Sequence, residues 1–183
     1  VEMTAPWVES NTDLNAIVEA LFFHPDWGLC DAGRLTEAQL FENARARLPQ
    51  RLHPALKNVL LHWPEYMTPL PGAEEFLKTM KSRGFKLIAL SNAPARYAEF
   101  RKNMPILNYF DGEVISALVG FAKPGREIFE YALSKYSMNP MECLFVDDLP
   151  HNVEGAARAG IAGCVFHGDY EALMVQIDQM NRV

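Results

Sequence analysis

From Ala73 onward, short apolar runs alternate with amphipathic stretches, and this alternation constrains the fold more than any other feature of the chain. Phe85 to Leu90 is apolar apart from Lys86, and Cys143 to Val146 and Ile161 to Phe166 are similar runs. Glu113 to Ala117 is a shorter candidate strand. Between them, Ala73 to Arg83, Pro94 to Lys102, Arg126 to Tyr136, Asn152 to Ala159 and Tyr170 to Met180 carry helical spacing. Strands that are apolar throughout are strands covered on both faces, and helices between them supply the cover. The pattern predicts an α/β fold: a three-layer, doubly wound parallel sheet.

Upstream the pattern is helical. Apolar residues recur at helical spacing from Ala5 to Phe23, and Phe22 to Gly28 breaks that run. Thr36 opens a second helix with Gln39 in capping-box position, running to about Leu48. A third fits His53 to Trp63. The change of pattern falls at Thr68-Pro69-Leu70-Pro71-Gly72. The pattern thus reads as an all-helical unit over residues 5–67 followed by an α/β region over residues 68–183.

The net charge of −6 and the lack of a basic run argue against nucleic acid or an anionic membrane as partner. No apolar stretch approaches the roughly 20 residues that span a bilayer. Glu2, Glu9 and Asp13 fall where a signal peptide would be basic and then apolar, so the expected location is the cytoplasm. Cys30, Cys143 and Cys164 show no metal-ligand spacing, and Cys143 and Cys164 beside apolar runs suggest buried, reduced thiols. The sequence carries no signal for an oligomeric state.

Three strand ends carry polar residues. Leu144-Phe145-Val146 runs directly into Asp147 and Asp148, followed by Pro150, Asn152 and a helix that stops at Gly160. Carboxylates at the carboxyl end of a buried strand sit where α/β sheets place ligands. Two adjacent acids repel unless a cation or proton relieves them, and magnesium accepts one or two carboxylates beside phosphate and water. An acidic helix cap is the plainer alternative, but one carboxylate would suffice for it. Ser91 and Asn92 follow the apolar run that ends at Leu90, just before Pro94. They suit phosphate oxygens, although a simple helix cap would use the same residues. Lys123 precedes Pro124 and the helix from Arg126. Held there, it can neutralise phosphate and pair with the acids; the alternative is a solvated lysine. The five histidines are scattered without ligand spacing. Trp27 and Phe23 could line a substrate pocket, with packing of the helical unit as the plainer alternative.

These three segments, in this order, resemble the haloacid dehalogenase-like hydrolase superfamily, most of whose members are phosphatases. Leu90-Ser91-Asn92-Ala93 resembles its second motif, Lys123-Pro124 its third, and Phe145-Val146-Asp147-Asp148 through Asn152 its fourth. The resemblance covers residues 69–183 most firmly. The helical unit resembles the family's α-helical cap, with Gly33-Arg34-Leu35-Thr36-Glu37 similar to a turn common in such caps. The resemblance implies that this cap is inserted in an α/β core made of residues 1–4 and 68–183. Among its members, the chain resembles the small bacterial sugar-phosphate phosphatases and the phosphatase domain of soluble epoxide hydrolase.

One departure stands out. The family's first motif is a strand ending in Asp-x-Asp, or in Asp followed by a small or apolar residue and glycine. Its first Asp is the nucleophile. Asp13, Asp26 and Asp31 are not preceded by an apolar strand. The spacing implied by the resemblance places the missing strand just upstream of Val1, with Val1-Glu2-Met3-Thr4 as the tail of the motif. That strand would lie between those near 85–90 and 143–146. Without it, each unpaired buried backbone group costs about 1–3 kcal/mol, against a domain stability of about 5–15 kcal/mol. The expectation is a gap of about two strand spacings, roughly 9.6 Å, between those strands; direct pairing at about 4.8 Å would contradict it.

The resemblance implies a magnesium-dependent phosphomonoesterase for a small phosphorylated metabolite, working through an aspartyl-phosphate. It implies that Ser91 and the backbone at Asn92 hold phosphoryl oxygens and that Lys123 offsets charge. Asp148 would bind Mg2+ directly, Asp147 would bind through water or orient the shell, and Asn152 would order the acidic loop. One rival is a haloacid dehalogenase of the same fold, against which the Asp147-Asp148 pair counts. Another is a catalytically silent binding protein, which has no clear reason to keep three charge-handling sites.

Overall fold

The structure, a computed structural model, describes residues 7–180. The proposed motif tail at 1–4 and the start of the helical unit at 5 lie outside the described residues. In chain order the elements are α1 (Asn11–Leu21), α2 (Pro25–Asp31), α3 (Glu37–Ala46), α4 (His53–His62), α5 (Ala73–Ser82), β1 (Ile88–Ser91), α6 (Tyr97–Arg101), β2 (Gly112–Ile115), α7 (Ser116–Val119), α8 (Arg126–Tyr136), β3 (Leu144–Asp147), α9 (Pro150–Arg158), β4 (Ala162–Val165) and α10 (Tyr170–Met180). None of the described helices is long and apolar enough to cross a membrane. The contacts divide the chain into two units.

The first unit joins the helical segment up to Thr68 with residues 92–105 and 115–120. Described residues 7–68 contain no strand. Ser10 and Thr36 cap α1 and α3 through their hydroxyls, and Gln39 completes the capping box. Leu14, Ile17 and Leu21 recur at three- and four-residue spacing and so share the buried face of α1. Ile17 and Leu21 meet Leu40, Leu56 and Val59 in a core where all five are 0% exposed. The break expected over Phe22 to Gly28 is present, since α1 ends at Leu21, but a further helix, α2, begins within it at Pro25. Pro25 occupies the first turn, where its missing N–H costs nothing, and the His24 ring accepts from the Asp26 N–H. Trp27 packs on Phe22 and Trp63, so it is core, whereas Phe23 is exposed.

Residues 92–105 are tied into the same unit. Trp63 stacks edge-on against Phe100, and Arg96 donates to the Leu60 carbonyl at 2.6 Å while pairing with Glu37 at 2.8 Å. A guanidinium on carbonyls at the end of α4 satisfies groups the helix cannot.

The second unit takes in residues 69–91, 106–114 and the chain from Phe121 onward. β3 and β4 run parallel, with Leu144 opposite Ala162 and Asp147 opposite Val165. β1 pairs with β2. β1 starts at Ile88, later than the apolar run predicts, because the Leu87 N–H is taken by the Asp111 carboxylate at 2.8 Å. Phe85 and Leu87 pack instead on Met80, Cys164, Leu173 and Ile177. Gly84, with φ +84°, ends α5 in the left-handed region open to glycine. The three cysteines are free, but Cys143 is only half-buried rather than buried.

The four described strands form two separate pairs, β1–β2 and β3–β4. Direct pairing of β1 with β3 does not occur. Among the described residues, neither has a ladder on its second side. A cavity of about 530 Å³ is lined from both strands, by Ile88, Leu90, Phe145 and Val146, and from the helices by Met80 and Phe129. Consequently all four residues of β1 are only half-buried and Val146 is 37% exposed. A central parallel strand is ordinarily covered on both faces.

Candidate functional site

Asp147 is the last residue of β3, and its carboxylate is saturated with donors. The Lys123 ammonium donates to Oδ2 at 2.7 Å. On Oδ1, the Asn152 side-chain amide donates at 2.9 Å and the Leu149 N–H at 3.0 Å. The lysine and aspartate side chains are 11% and 7% exposed. Desolvating two such charges is costly unless geometry and further hydrogen bonds compensate, and here they do. Burial pushes the Asp147 pKa up, but the bonds from Lys123, Asn152 and Leu149 outweigh it and hold the carboxyl below its ordinary range.

Helix α9 helps to position two of those three donors, Asn152 and Lys123. Asn152 lies in its first turns and is 3% exposed. One turn on, a Cβ on Gly155 would stand 2.5 Å from the Pro124 carbonyl oxygen. Glycine therefore lets α9 close on the segment that carries Lys123. Arg158 then donates to the same carbonyl at 3.0 Å.

Asp148 differs from its neighbour. It is exposed, and its carboxylate makes no hydrogen bond or ion pair with the described residues. Nearby in the chain, the Asn152 Oδ1 is buried without a partner. A hard divalent cation that keeps most of its waters needs one or two carboxylates. Asp148 has both oxygens available, while those of Asp147 are spent on Lys123, Asn152 and Leu149. On that basis the chemistry of Asp148 suits a hard divalent cation, and among the described residues no group of three or more His, Cys, Asp or Glu side chains is placed to hold a metal ion.

The structure thus brings Lys123, Asp147 and Asn152 into contact, with Asp148 adjacent. Ser91 closes β1 at its carboxyl end and is half-buried. Asn92 begins the stretch that packs with the first unit. His151 is exposed in the first turn of α9.

Two residues carry features that the sequence did not single out as functional. Asp31 is 9% exposed, and burial foremost, with the nearby Glu37 charge, raises its pKa from 3.8 to about 6 against a hydrogen bond from Trp27. Ser116 is 0% exposed and bonded on two sides. Asp31 follows no strand and Ser116 sits in an ordinary Ile-Ser-Ala run, so only the fold marks them.

The family model for haloacid dehalogenase-like hydrolases matches residues 33–160. A pyrimidine 5'-nucleotidase of Escherichia coli is 34% identical over 151 residues, covering 76% of this chain and 65% of that protein. A phosphorylated carbohydrates phosphatase of Thermotoga maritima is 30% identical over 128 residues, covering 69% of this chain and 58% of that protein. The chain therefore spans less than two thirds of the length of either relative. A family enzyme of Bacteroides thetaiotaomicron, solved with magnesium and inorganic phosphate, superposes with a TM-score of 0.66 at 19% identity, over 91% of each chain.

Proposed function

The chain belongs to the haloacid dehalogenase-like hydrolase family, and we propose that it acts as a magnesium-dependent phosphomonoesterase on a small phosphorylated metabolite. The observation that carries this reading is the wired carboxylate beside an open one. Lys123, Asp147 and Asn152 form a buried, hydrogen-bonded set, while Asp148 is left available. Phosphoryl transfer asks a protein for positioning and charge neutralisation more than for covalent work, and this arrangement offers both.

In this reading, Ser91 and the backbone at Asn92 hold phosphoryl oxygens at the end of β1. Lys123 offsets the negative charge that gathers on the phosphoryl group, and Asp147 holds the lysine in place. Asn152 fixes the Asp147 carboxylate, so that the loop through Leu149 presents Asp148 in one orientation. Magnesium, when bound at Asp148, supplies Lewis-acid polarisation of a phosphoryl oxygen. The attacking carboxylate is assigned to an aspartate on a strand filling the cavity between β1 and β3, in keeping with the family resemblance. Among the described residues β1 and β3 each lack a second neighbour and have apolar side chains between them, which supports that placement.

The relatives, a nucleotidase and a carbohydrate phosphatase, share a phosphomonoester and differ in the leaving group. The test is phosphate release from a panel of nucleoside monophosphates and sugar phosphates, with magnesium and with EDTA. Turnover of at least one ester only with magnesium is expected. Turnover of 2-haloacids without metal, and of no phosphate ester, would overturn the reading in favour of a dehalogenase.

A further inference from the structure

Ser116 opens α7 directly after β2, and its hydroxyl joins three separate stretches of the first unit. The hydroxyl donates to the Asp31 carbonyl at the end of α2 and accepts the Ala93 N–H at 2.9 Å. Each half of this arrangement depends on the other. The last carbonyls of a helix have no partner within it, so the Asp31 carbonyl takes the single hydroxyl proton. With its proton committed, the oxygen turns its lone pairs toward Ala93. The Ala93 N–H is itself buried, at 6% exposure for the residue, and needs an acceptor. The junction is also tight. Gly33, at φ +70°, sits where a Cβ would stand 2.9 Å from the Ala117 carbonyl oxygen. Ser116 therefore cannot move without moving the end of α2.

A peptide group is planar, so fixing the Ala93 N–H fixes the whole Asn92–Ala93 plane, including the Asn92 carbonyl. This is the turn to which the functional reading assigns phosphate. We infer that Ser116 is a positioning residue for phosphate binding, acting by locking the Asn92–Ala93 peptide. The inference rests on the phosphatase reading and assigns to a buried serine with no substrate contact of its own a part in substrate affinity.

The experiment is calorimetric titration of the protein with inorganic phosphate at saturating magnesium, alongside a separate magnesium titration. Ser116→Ala should weaken phosphate binding about tenfold, as expected for the loss of roughly one hydrogen bond of orientation, with magnesium affinity unchanged. Ser116→Cys, which keeps the size and a weak acceptor, should fall between. Ile17→Val, a core change in the same unit, supplies a control of lowered melting temperature and should bind phosphate normally. If Ser116→Ala is too unstable to titrate, Ser116→Cys alone decides, through weakened phosphate binding or its absence. Faster hydrogen exchange at the Ala93 amide should accompany the weakened binding. Phosphate affinity equal to wild type in both serine variants would reduce Ser116 to a structural residue and overturn the inference alone. Failure of the wild-type protein to bind phosphate would instead overturn the functional reading, and this inference with it.

Discussion

The two units hold themselves together by different means. In the first, apolar side chains from α1, α3 and α4 close on one another until Ile17, Leu21, Leu40, Ala44, Leu56 and Val59 are fully buried. In the second, Val114, Ile128 and Phe129 are as fully buried, but β1 is half-buried throughout, a cavity of about 530 Å³ lies along β1 and β3, and a charged set around Asp147 is held in the interior. The contrast follows from the elements themselves. A helix satisfies its backbone internally and needs only a covered stripe. A strand leaves backbone groups open until a neighbour pairs each edge, and its side chains open until another layer covers each face.

The largest expected effect breaks the polar unit at its centre. Lys123→Met removes the cation from a carboxylate that is 7% exposed, leaving a buried unpaired charge. A loss of about 3–5 kcal/mol is expected by urea denaturation. A loss below about 1 kcal/mol would mean that solvent already screens the pair.

The matching change in the apolar unit is Leu56→Ala, at a residue 0% exposed. It should cost about 2–5 kcal/mol through lost burial and an unfilled void. A much smaller cost would show the first core to be no better closed than the second.

Asp31 sharpens the comparison, because it is a charge held in the apolar unit without the wiring that Asp147 has. Its pKa is raised to about 6, so the folded state binds a proton that the unfolded state releases near 3.8. The folded form therefore loses stability as pH rises from about 4 to about 6, and the loss is complete above that window. Asp31→Asn should raise stability at pH 7 by on the order of 1–3 kcal/mol and flatten the slope of melting temperature between pH 4 and 6. An unchanged slope would place the titration elsewhere, with Glu37 the nearest other acid raised by burial.

The smallest effect is expected at the cavity. Val146 is 37% exposed on β3, so Val146→Ala should cost less than about 1 kcal/mol. A cost near that of Leu56→Ala would mean that the Val146 side chain is as well buried as the first core.

Much of this contrast is legible in the sequence, residue by residue. Helix α8 runs from Arg126 to Tyr136, as its periodicity predicts, and Thr36 with Gln39 forms the predicted capping box. Local chemistry set those elements, so local reading finds them. The seven residues of α2 are too short to show helical periodicity, and only Pro25 in a first turn marks where that helix starts inside the break. β1 was placed too early because a side chain distant in sequence, Asp111, claims the Leu87 N–H. In the candidate site, Lys123 and the two aspartates stand out by their positions after apolar runs and by the family resemblance. The saturation of Asp147 and the openness of Asp148 do not, since they depend on where α9 lands. Ser116 reaches the Asp31 carbonyl across 85 residues of sequence, a contact that only folding creates.

The central claim is that Asp148 is the open carboxylate that holds the metal for phosphate-ester hydrolysis. The most direct test compares wild type with Asp148→Asn for phosphate release across a magnesium titration, with melting temperature recorded on both. Because Asp148 is exposed, the substitution should leave the melting temperature unchanged. Magnesium-dependent turnover should fall by more than about a hundredfold, roughly 2.7 kcal/mol of transition-state stabilisation. Retention of wild-type turnover with the same magnesium dependence would contradict the claim.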